Sequence, residues 1–346
     1  MQMIDIDGSY GEGGGQVLRS ALTLSLITGT PFRITKIRAG RGRPGLLRQH
    51  LTCVKAACEI SGAAAMGAEL GSTSLEFRPP GPSAARAGSY AFAVGSAGST
   101  SLVLATIMLP LLLSSGESQV RLEGGTHNPS APPFEFLSDV LIPRLRELGF
   151  VLDAKLERAG FFPAGGGVLT VTLGTSAAPA PLRHGSWLTR GETVLTGNVL
   201  VANLTDRIGG RELVALAEAL GIERRDVRIE NVRSQGPGNA VMARATSSDG
   251  VCELVTAFGE RGKTAEAVAE EAASLMKTYL ASPAPVGEHL ADQLLLPLAL
   301  GRGGEFVTHA KSMHLTTNAW VLERFLGNKV TFEDENGTTR VHVTAP

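Results

Sequence analysis

Cysteine is scarce in this 346-residue chain: Cys53, Cys58 and Cys252 make an odd number with no CxxC spacing, which argues against a disulfide framework and a cysteine zinc site. Such usage fits a reducing, cytoplasmic setting. Long hydrophobic runs are missing too. The longest, Leu102 to Leu113, is interrupted by Pro110 and falls short of the roughly 20 apolar residues that cross a bilayer. Met1 to Gly15 is acidic and glycine-rich, without the basic segment leading into an apolar one that a signal peptide needs. Neither sign of charge prevails, since 32 Lys+Arg face 33 Asp+Glu, and this excludes a globally basic nucleic-acid-coating protein. With 43% hydrophobic residues the chain is not disordered, and 42 glycines without a collagen period read as tight turns and close backbone approaches.

Hydrophobic periodicity and glycine punctuation predict a repeated order of elements. A first unit reads strand 3–7, helix 15–28, strand 32–38, helix 45–61 and strands 65–70 and 73–78; a second reads strand 89–94, helix 99–114, strand 118–123, helix 133–148 and strands 151–158 and 167–173. An offset of about 85 residues is too long for a solenoid and suggests a duplicated βαβαββ module. A third copy closes the chain with helix 286–300, strand 304–309, helix 316–326 and strands 328–333 and 338–343, but its opening strand lies upstream at 181–187. Between them, strand 192–204, helix 209–220, strand 226–232, a hairpin over 239–258 and helix 264–280 are too structured for a loop. The expected architecture is therefore α/β (α+β): a large domain of three repeats, 1–187 and 281–346, with a smaller α/β domain, 188–280, inserted in the third. Two α+β domains in series are the alternative.

From Gly13 to Cys58 there is no acidic residue, yet Arg19, Arg33, Lys36, Arg38, Arg41, Arg43, Arg48 and Lys55 all fall there. Within it, Arg38-Ala39-Gly40-Arg41-Gly42-Arg43-Pro44-Gly45 reads as a strand end turning through glycines into a helix with Pro44 near its first turn. Glycines admit a phosphate to the backbone and guanidinium groups grip its oxygens, so an anion site is favoured over a solvated basic face. Gly11-Glu12-Gly13-Gly14-Gly15-Gln16 offers exposed N–H groups but lacks the Lys-Ser/Thr pair of a P-loop. Glu12 either partners the helix dipole or, with phosphate bound, holds a divalent cation, Mg²⁺ being suited to oxygen ligands. Gly95–Thr100 and Gly124–Pro133 are similar junctions and suggest one shared cleft. Among seven histidines His314, in Ser312-Met313-His314-Leu315-Thr316-Thr317-Asn318, precedes a helix that Thr316 or Thr317 could cap. It is a base or nucleophile there, or a histidine of the capping loop.

The stretches GSYGEGGGQVLRSAL, IRAGRGRPGLLRQHL, GSAGSTS, GGTHNPSAPP, FFPAGGG, SQGPGN, EHLADQLLLP and SMHLTTN together resemble the RNA 3′-terminal phosphate cyclase family. The resemblance implies three βαβαββ repeats with an insert in the third. It implies an enzyme that uses ATP and a divalent metal, Mg²⁺ or Mn²⁺, to adenylate a histidine, passes AMP to an RNA 3′-phosphate, and closes a 2′,3′-cyclic phosphate as AMP leaves. By matching position the nucleophile is His314, and Glu12 and Asp292 are the metal carboxylates. Arg19, Arg38, Arg41 and Gln49 match positions that engage phosphates and the RNA end. Pro132 and Phe136 match the wall of an adenine pocket that Asp292 and Gln293 border. Two departures occur there: His289 stands where a tyrosine is expected to stack on adenine, and Ala105 where a glutamine often lies. The implied partners are RNA and ATP, with no membrane, and a homo-oligomer is left open. Two other classes compete: non-catalytic relatives in ribosomal RNA processing, which would lack the histidine, and enolpyruvyl transferases, which would need no histidine adduct.

Overall fold

In this computed structural model residues 2–175, 181–309, 311–327 and 329–345 are described. Residues 1, 176–180, 310, 328 and 346 lie outside the described set, so the strand expected from residue 328 is seen from Val330 onward.

The chain opens with β1 (Ile4–Asp7), α1 (Gln16–Thr28), β2 (Phe32–Thr35), α2 (Arg48–Ser61), β3 (Ala64–Met66) and β4 (Leu75–Arg78). The sheet order is β1-β2-β4-β3, with β1 and β2 parallel and the remaining pairs antiparallel. Next come β5 (Ser89–Ala93), α3 (Thr100–Leu112), β6 (Ser118–Gly124), a π-helical segment Phe136–Leu141 running into α4 (Ile142–Glu147), β7 (Leu152–Arg158) and β8 (Gly167–Leu173). They form the sheet β5-β6-β8-β7 with the same parallel-then-antiparallel sense. After β9 (Gly185–Trp187) the chain makes β10 (Thr193–Ala202), α5 (Asp206–Leu220), β11 (Val227–Asn231), β12 (Gly238–Ser247), β13 (Cys252–Phe258) and α6 (Ala265–Leu280). It ends with α7 (Glu288–Leu300), β14 (Gly304–Thr308), α8 (Met313–Leu326), β15 (Val330–Glu335) and β16 (Thr338–Val343). Strands β9 and β14 pair in parallel across that long excursion, in a sheet ordered β9-β14-β16-β15. The excursion has its own sheet, β11-β10-β12-β13.

Alternation along β10 and β12 explains how that fourth sheet is held. Val199, Val201, Val241 and Ala243 point into a cluster shared with α5 and α6, whereas Leu200, Ala202, Ala240 and Met242 belong to the main core. The middle of the sheet, along β10 and β12, is buried on both faces, so a charge there would be desolvated, whereas the edge strand β11 is exposed after Val227. α3 has 13 residues, about 20 Å long against a bilayer core of about 30 Å, and among the described residues no helix is long and apolar enough to cross a membrane.

Two helix starts and one strand end differ from the periodicity. α2 begins at Arg48 rather than 45, because Gly45 adopts φ +82° and Leu46 pairs with the 71–72 backbone (Leu46 N to Ser72 O, 3.0 Å), so Pro44 lies ahead of the helix and not in its first turn. The strand before it stops at Thr35, since Lys36 and Arg38 both take positive φ. α8 begins at Met313, capped by Ser312 Oγ, which accepts the Leu315 N–H at 3.1 Å; neither Thr316 nor Thr317 is the cap, and His314 sits in the first turn.

Candidate active site

α1 is buried almost all round, and its polar residues Gln16, Arg19, Ser20 and Thr23 recur at i, i+3, i+4 and i+7. Gln16 and Ser20 of that stripe bond to the last third of the chain, whereas Thr23 Oγ1 donates to the Thr106 carbonyl on α3 at 2.8 Å. Gln16 Nε2 donates to Asp292 Oδ2 on α7 at 2.6 Å, and Gln16 Oε1 lies 3.1 Å from His314 Nδ1 on α8. Ser20 Oγ donates to Asn318 Oδ1 at 2.6 Å, and Asn318 Nδ2 donates to the Asp292 carbonyl at 2.7 Å. The buried Thr317 Oγ1 accepts the Glu12 N–H at 3.1 Å. Gly11, at φ +59°, is pressed so close that a Cβ there would fall 2.0 Å from Thr317 Oγ1.

These contacts fix the chemistry of His314. When ionised, Asp292 accepts but does not donate, so it turns the NH₂ of Gln16 toward itself and presents Oε1 to the imidazole. Nδ1 therefore carries the proton, and the lone pair is on Nε2. Burial holds the His314 pKa below the ordinary histidine value, and Arg19, His289 and Arg41 push it the same way, so the ring is neutral at pH 7. Burial raises the Asp292 carboxyl to about 7 despite Arg19 and the Gln16 hydrogen bond.

Glu12 forms an ion pair with Arg41, while its Oε2 is buried without a partner. A Cβ on Gly14 would lie 2.3 Å from that oxygen, so the glycine leaves room for the carboxylate. Among the described residues no three His, Cys, Asp or Glu side chains are grouped to hold a metal. The protein thus offers Glu12, with Asp292 nearby through Gln16, and this suits Mg²⁺, which takes one or two carboxylates and completes its shell with phosphates and water.

The other expected residues are distributed around this cluster. Arg19 lies against His50: a Cβ on Gly15 would be 2.4 Å from His50 Nε2 and 2.9 Å from Arg19 Nη1. Burial, then Arg19 and Arg38, drive His50 down to about 3; its Nδ1 accepts the Leu47 N–H at 3.3 Å. Arg38 Nη1 donates to the carbonyls of Arg43 (2.6 Å) and Gly45 (3.0 Å), which shapes the glycine-arginine loop. Gln49 Oε1 accepts the Ser99 N–H at 2.7 Å, and Asn128 Nδ2 donates to Ala97 O at 2.7 Å, joining α2 to both glycine junctions of the second unit. Arg33, Lys36 and Arg41 are paired with acids from outside the basic segment. Pro132 is half-buried, its carbonyl accepting from Ser101 Oγ (2.7 Å), and Ala105 is one turn along α3 from Ser101. Phe136 is 2% exposed and packs in the main core. Exposed His289 precedes Asp292 by three residues on α7, and Gln293 Nε2 donates to its carbonyl at 3.0 Å. No hydrogen bond or ion pair among the described residues joins Pro132, Phe136 or Ala105 to the His314 cluster.

A family model described as RNA 3′-terminal phosphate cyclase matches residues 10–332, from Tyr10 before the first glycine turn to Phe332 beyond α8. The chain belongs to the RNA 3′-terminal phosphate cyclase family. The matched span contains every residue of the His314 cluster. Among solved structures, the enolpyruvyl transferase NikO from Streptomyces tendae is similar at 16% identity and TM-score 0.27, over 63% of this cyclase-family chain and 38% of that enzyme.

Three participants have no distinguishing local signal of their own: Gln16 stands in a glycine motif, His50 is one of seven histidines, and Ser20 lies within the stretch GSYGEGGGQVLRSAL. The polar i, i+3, i+4 stripe on an otherwise apolar helix was the available signal.

Proposed function

We propose that this chain converts an RNA 3′-terminal phosphate to a 2′,3′-cyclic phosphate at the expense of ATP, with His314 Nε2 as the nucleophile that accepts AMP. The observation that supports this reading is the Asp292–Gln16–His314 hydrogen-bonded line, in which an amide oxygen facing Nδ1 favours the tautomer with its lone pair on Nε2.

Nε2 attacks the α-phosphorus of ATP, the bond to the bridging oxygen breaks, and pyrophosphate leaves. The imidazole becomes cationic as the new bond forms. Gln16 Oε1, already on the Nδ1 proton, stabilises that charge without moving. Arg19, desolvated beside His50, and Arg41 supply fixed positive charge for the phosphates. An oxygen of the RNA 3′-phosphate then displaces His314 from phosphorus. Attack by the adjacent 2′-hydroxyl on the activated phosphate closes the ring and expels AMP; that hydroxyl restricts the last step to ribose. A divalent cation held by Glu12, with Asp292 beside it, would neutralise phosphate charge. Arg41 currently occupies one Glu12 oxygen, and the buried partnerless one is the free ligand.

Incubation with α-labelled ATP and Mg²⁺ should leave acid-labile label on the protein, and His314→Ala should abolish both the label and cyclisation of a 3′-phosphate end. Full labelling of His314→Ala would refute the assignment.

A further inference from the structure

The same helix that carries His314 borders a second concavity. A pocket of about 210 Å³ is lined by Tyr10, Trp320 and Phe332, together with Thr316, Ala319, Glu323, Lys329 and Val330. Tyr10 and Trp320 stack with ring centroids 4.1 Å apart and planes 15° apart, and Tyr10 is 45% exposed, an unusual amount of open aromatic surface. Cations surround the rings. The Arg324 guanidinium lies 5.7 Å from the Trp320 centroid, Lys311 Nζ lies 5.0 Å from that of Phe332, and Lys329 is in the wall, its Nζ on the Ala345 carbonyl. Against these three cations stand Glu323 in the wall and Asp334, 3.7 Å from Lys311, so the named charges sum to one positive.

The pocket and the candidate active site share α8 and the loop before α1. The loop that bears Glu12 also bears Tyr10, and Gly11 between them is pressed on Thr317, midway along α8 from His314 to Trp320. Six residues of helix separate His314 from Trp320, about 9 Å along the axis. At about 3.4 Å per stacked nucleotide, that is two to three steps along a strand. Open aromatic faces ringed by Lys and Arg are how proteins hold single-stranded nucleic acid: rings take bases and cations take phosphates.

We propose that this pocket binds a nucleobase of the RNA strand, two or three nucleotides upstream of the 3′-phosphate. The choice of RNA as occupant rests on the function proposed above. The pocket would then set a minimum substrate length and add affinity without reading sequence, because every base has a face to stack.

Trp320 is the reporter. The chain has two tryptophans, and the other, Trp187, is 7% exposed with its Nε1 on Glu147 at 3.0 Å. Titration of the full chain with a single-stranded 8-nucleotide RNA bearing a 3′-phosphate should quench tryptophan fluorescence saturably, and Trp187→Phe should retain the quenching. Tyr10→Leu should weaken RNA binding about tenfold by anisotropy. Trp320→Leu, checked by circular dichroism for native helix content, should do the same, so the result does not depend on one variant folding. RNA binding by anisotropy with no quenching would overturn the pocket, as would equal affinity in both variants, or quenching by ATP alone to the extent seen with RNA. Histidine labelling is read separately. Quenching in a protein that forms no AMP adduct supports the pocket and refutes the cyclase mechanism, and an adduct without quenching does the reverse.

Discussion

Replacing Gln16 by Met keeps the length of the side chain and removes both of its hydrogen bonds. The bond to Asp292 Oδ2, at 2.6 Å, involves a carboxylate and is worth roughly 1.5–3 kcal/mol; the bond to His314 Nδ1, at 3.1 Å, is worth roughly 1 kcal/mol. Losing the second should cost more in rate than in stability, because His314 is then free to take the Nε2–H tautomer, which is not a nucleophile at Nε2. The transfer of label from α-labelled ATP should slow by about 10- to 100-fold in Gln16→Met, and ¹⁵N imidazole spectra should show His314 shifting from Nδ1–H toward Nε2–H. Gln16→Glu separates position from charge. An acceptor again faces Nδ1, but two carboxylates now share the place of one, and Asp292 already titrates near 7. Recovery in Gln16→Glu should therefore appear as pH falls through about 7 and Asp292 takes up a proton. It should fade again as His314 itself protonates, below its ordinary histidine value. Wild-type labelling in Gln16→Met with an unchanged imidazole tautomer would refute the reasoning.

Gly14→Ala places a Cβ 2.3 Å from Glu12 Oε2 at a helix start with no positive φ; the thermal midpoint should hold while Mg²⁺-dependent labelling falls, and unchanged labelling would remove Glu12 from the site. Arg38→Ala releases the Arg43 and Gly45 carbonyls, so trypsin should cut after Arg41, which precedes Gly42, faster than in the wild type, and affinity for a 3′-phosphate end should drop. Glu253 of β13 is buried against Gly287, the N-cap of α7, and burial lifts its carboxyl to about 8 from 4.5. A raised acid stabilises fully below its unfolded value and loses that contribution as pH rises toward 8, an effect of at most about 5 kcal/mol. Glu253→Gln should accordingly gain on the wild type in urea midpoints between pH 5 and 9, and parallel pH profiles would count against the buried acid.

Local physics made most elements legible and left their ends open. Apolar spacing located α1, α3 and α6 within a few residues, because each buries a face that the sequence displays. Arg48 as the start of α2 was hidden, since it depends on Gly45 meeting the 71–72 backbone, a contact between distant residues. The Ser312 cap lies in the motif four and five residues before Thr316 and Thr317, the caps that the pattern suggests. The sheet order was not readable from periodicity alone: β9 pairs with β14 although more than a hundred residues separate them. The middle of the fourth sheet, buried on both faces, erased the polar alternation that marks a strand with one wet side.

The site shows the same division. Glu12, His314 and the arginines stood out because glycines, helix starts and unpaired charge are local signals, but their relation is entirely long-range. Gln16 to Asp292, Gln16 to His314, Glu12 to Thr317 and Ser20 to Asn318 join residues 276, 298, 305 and 298 positions apart. Each bond has one partner in or just before α1 and the other on α7 or α8. The nucleophile and the amide that orients it therefore come from opposite ends of the chain, and neither end holds a working arrangement alone. Packing of α1 against α8 is consequently a condition of the chemistry as well as of the core, which explains why α1 keeps a polar stripe where an apolar one would bury more readily. The docked arrangement is specific: sliding α8 by one turn would leave Asn318, Ser20 and the Gln16 carbonyl oxygen desolvated without partners, while the Gln16–Asp292 bond between α1 and α7 would persist.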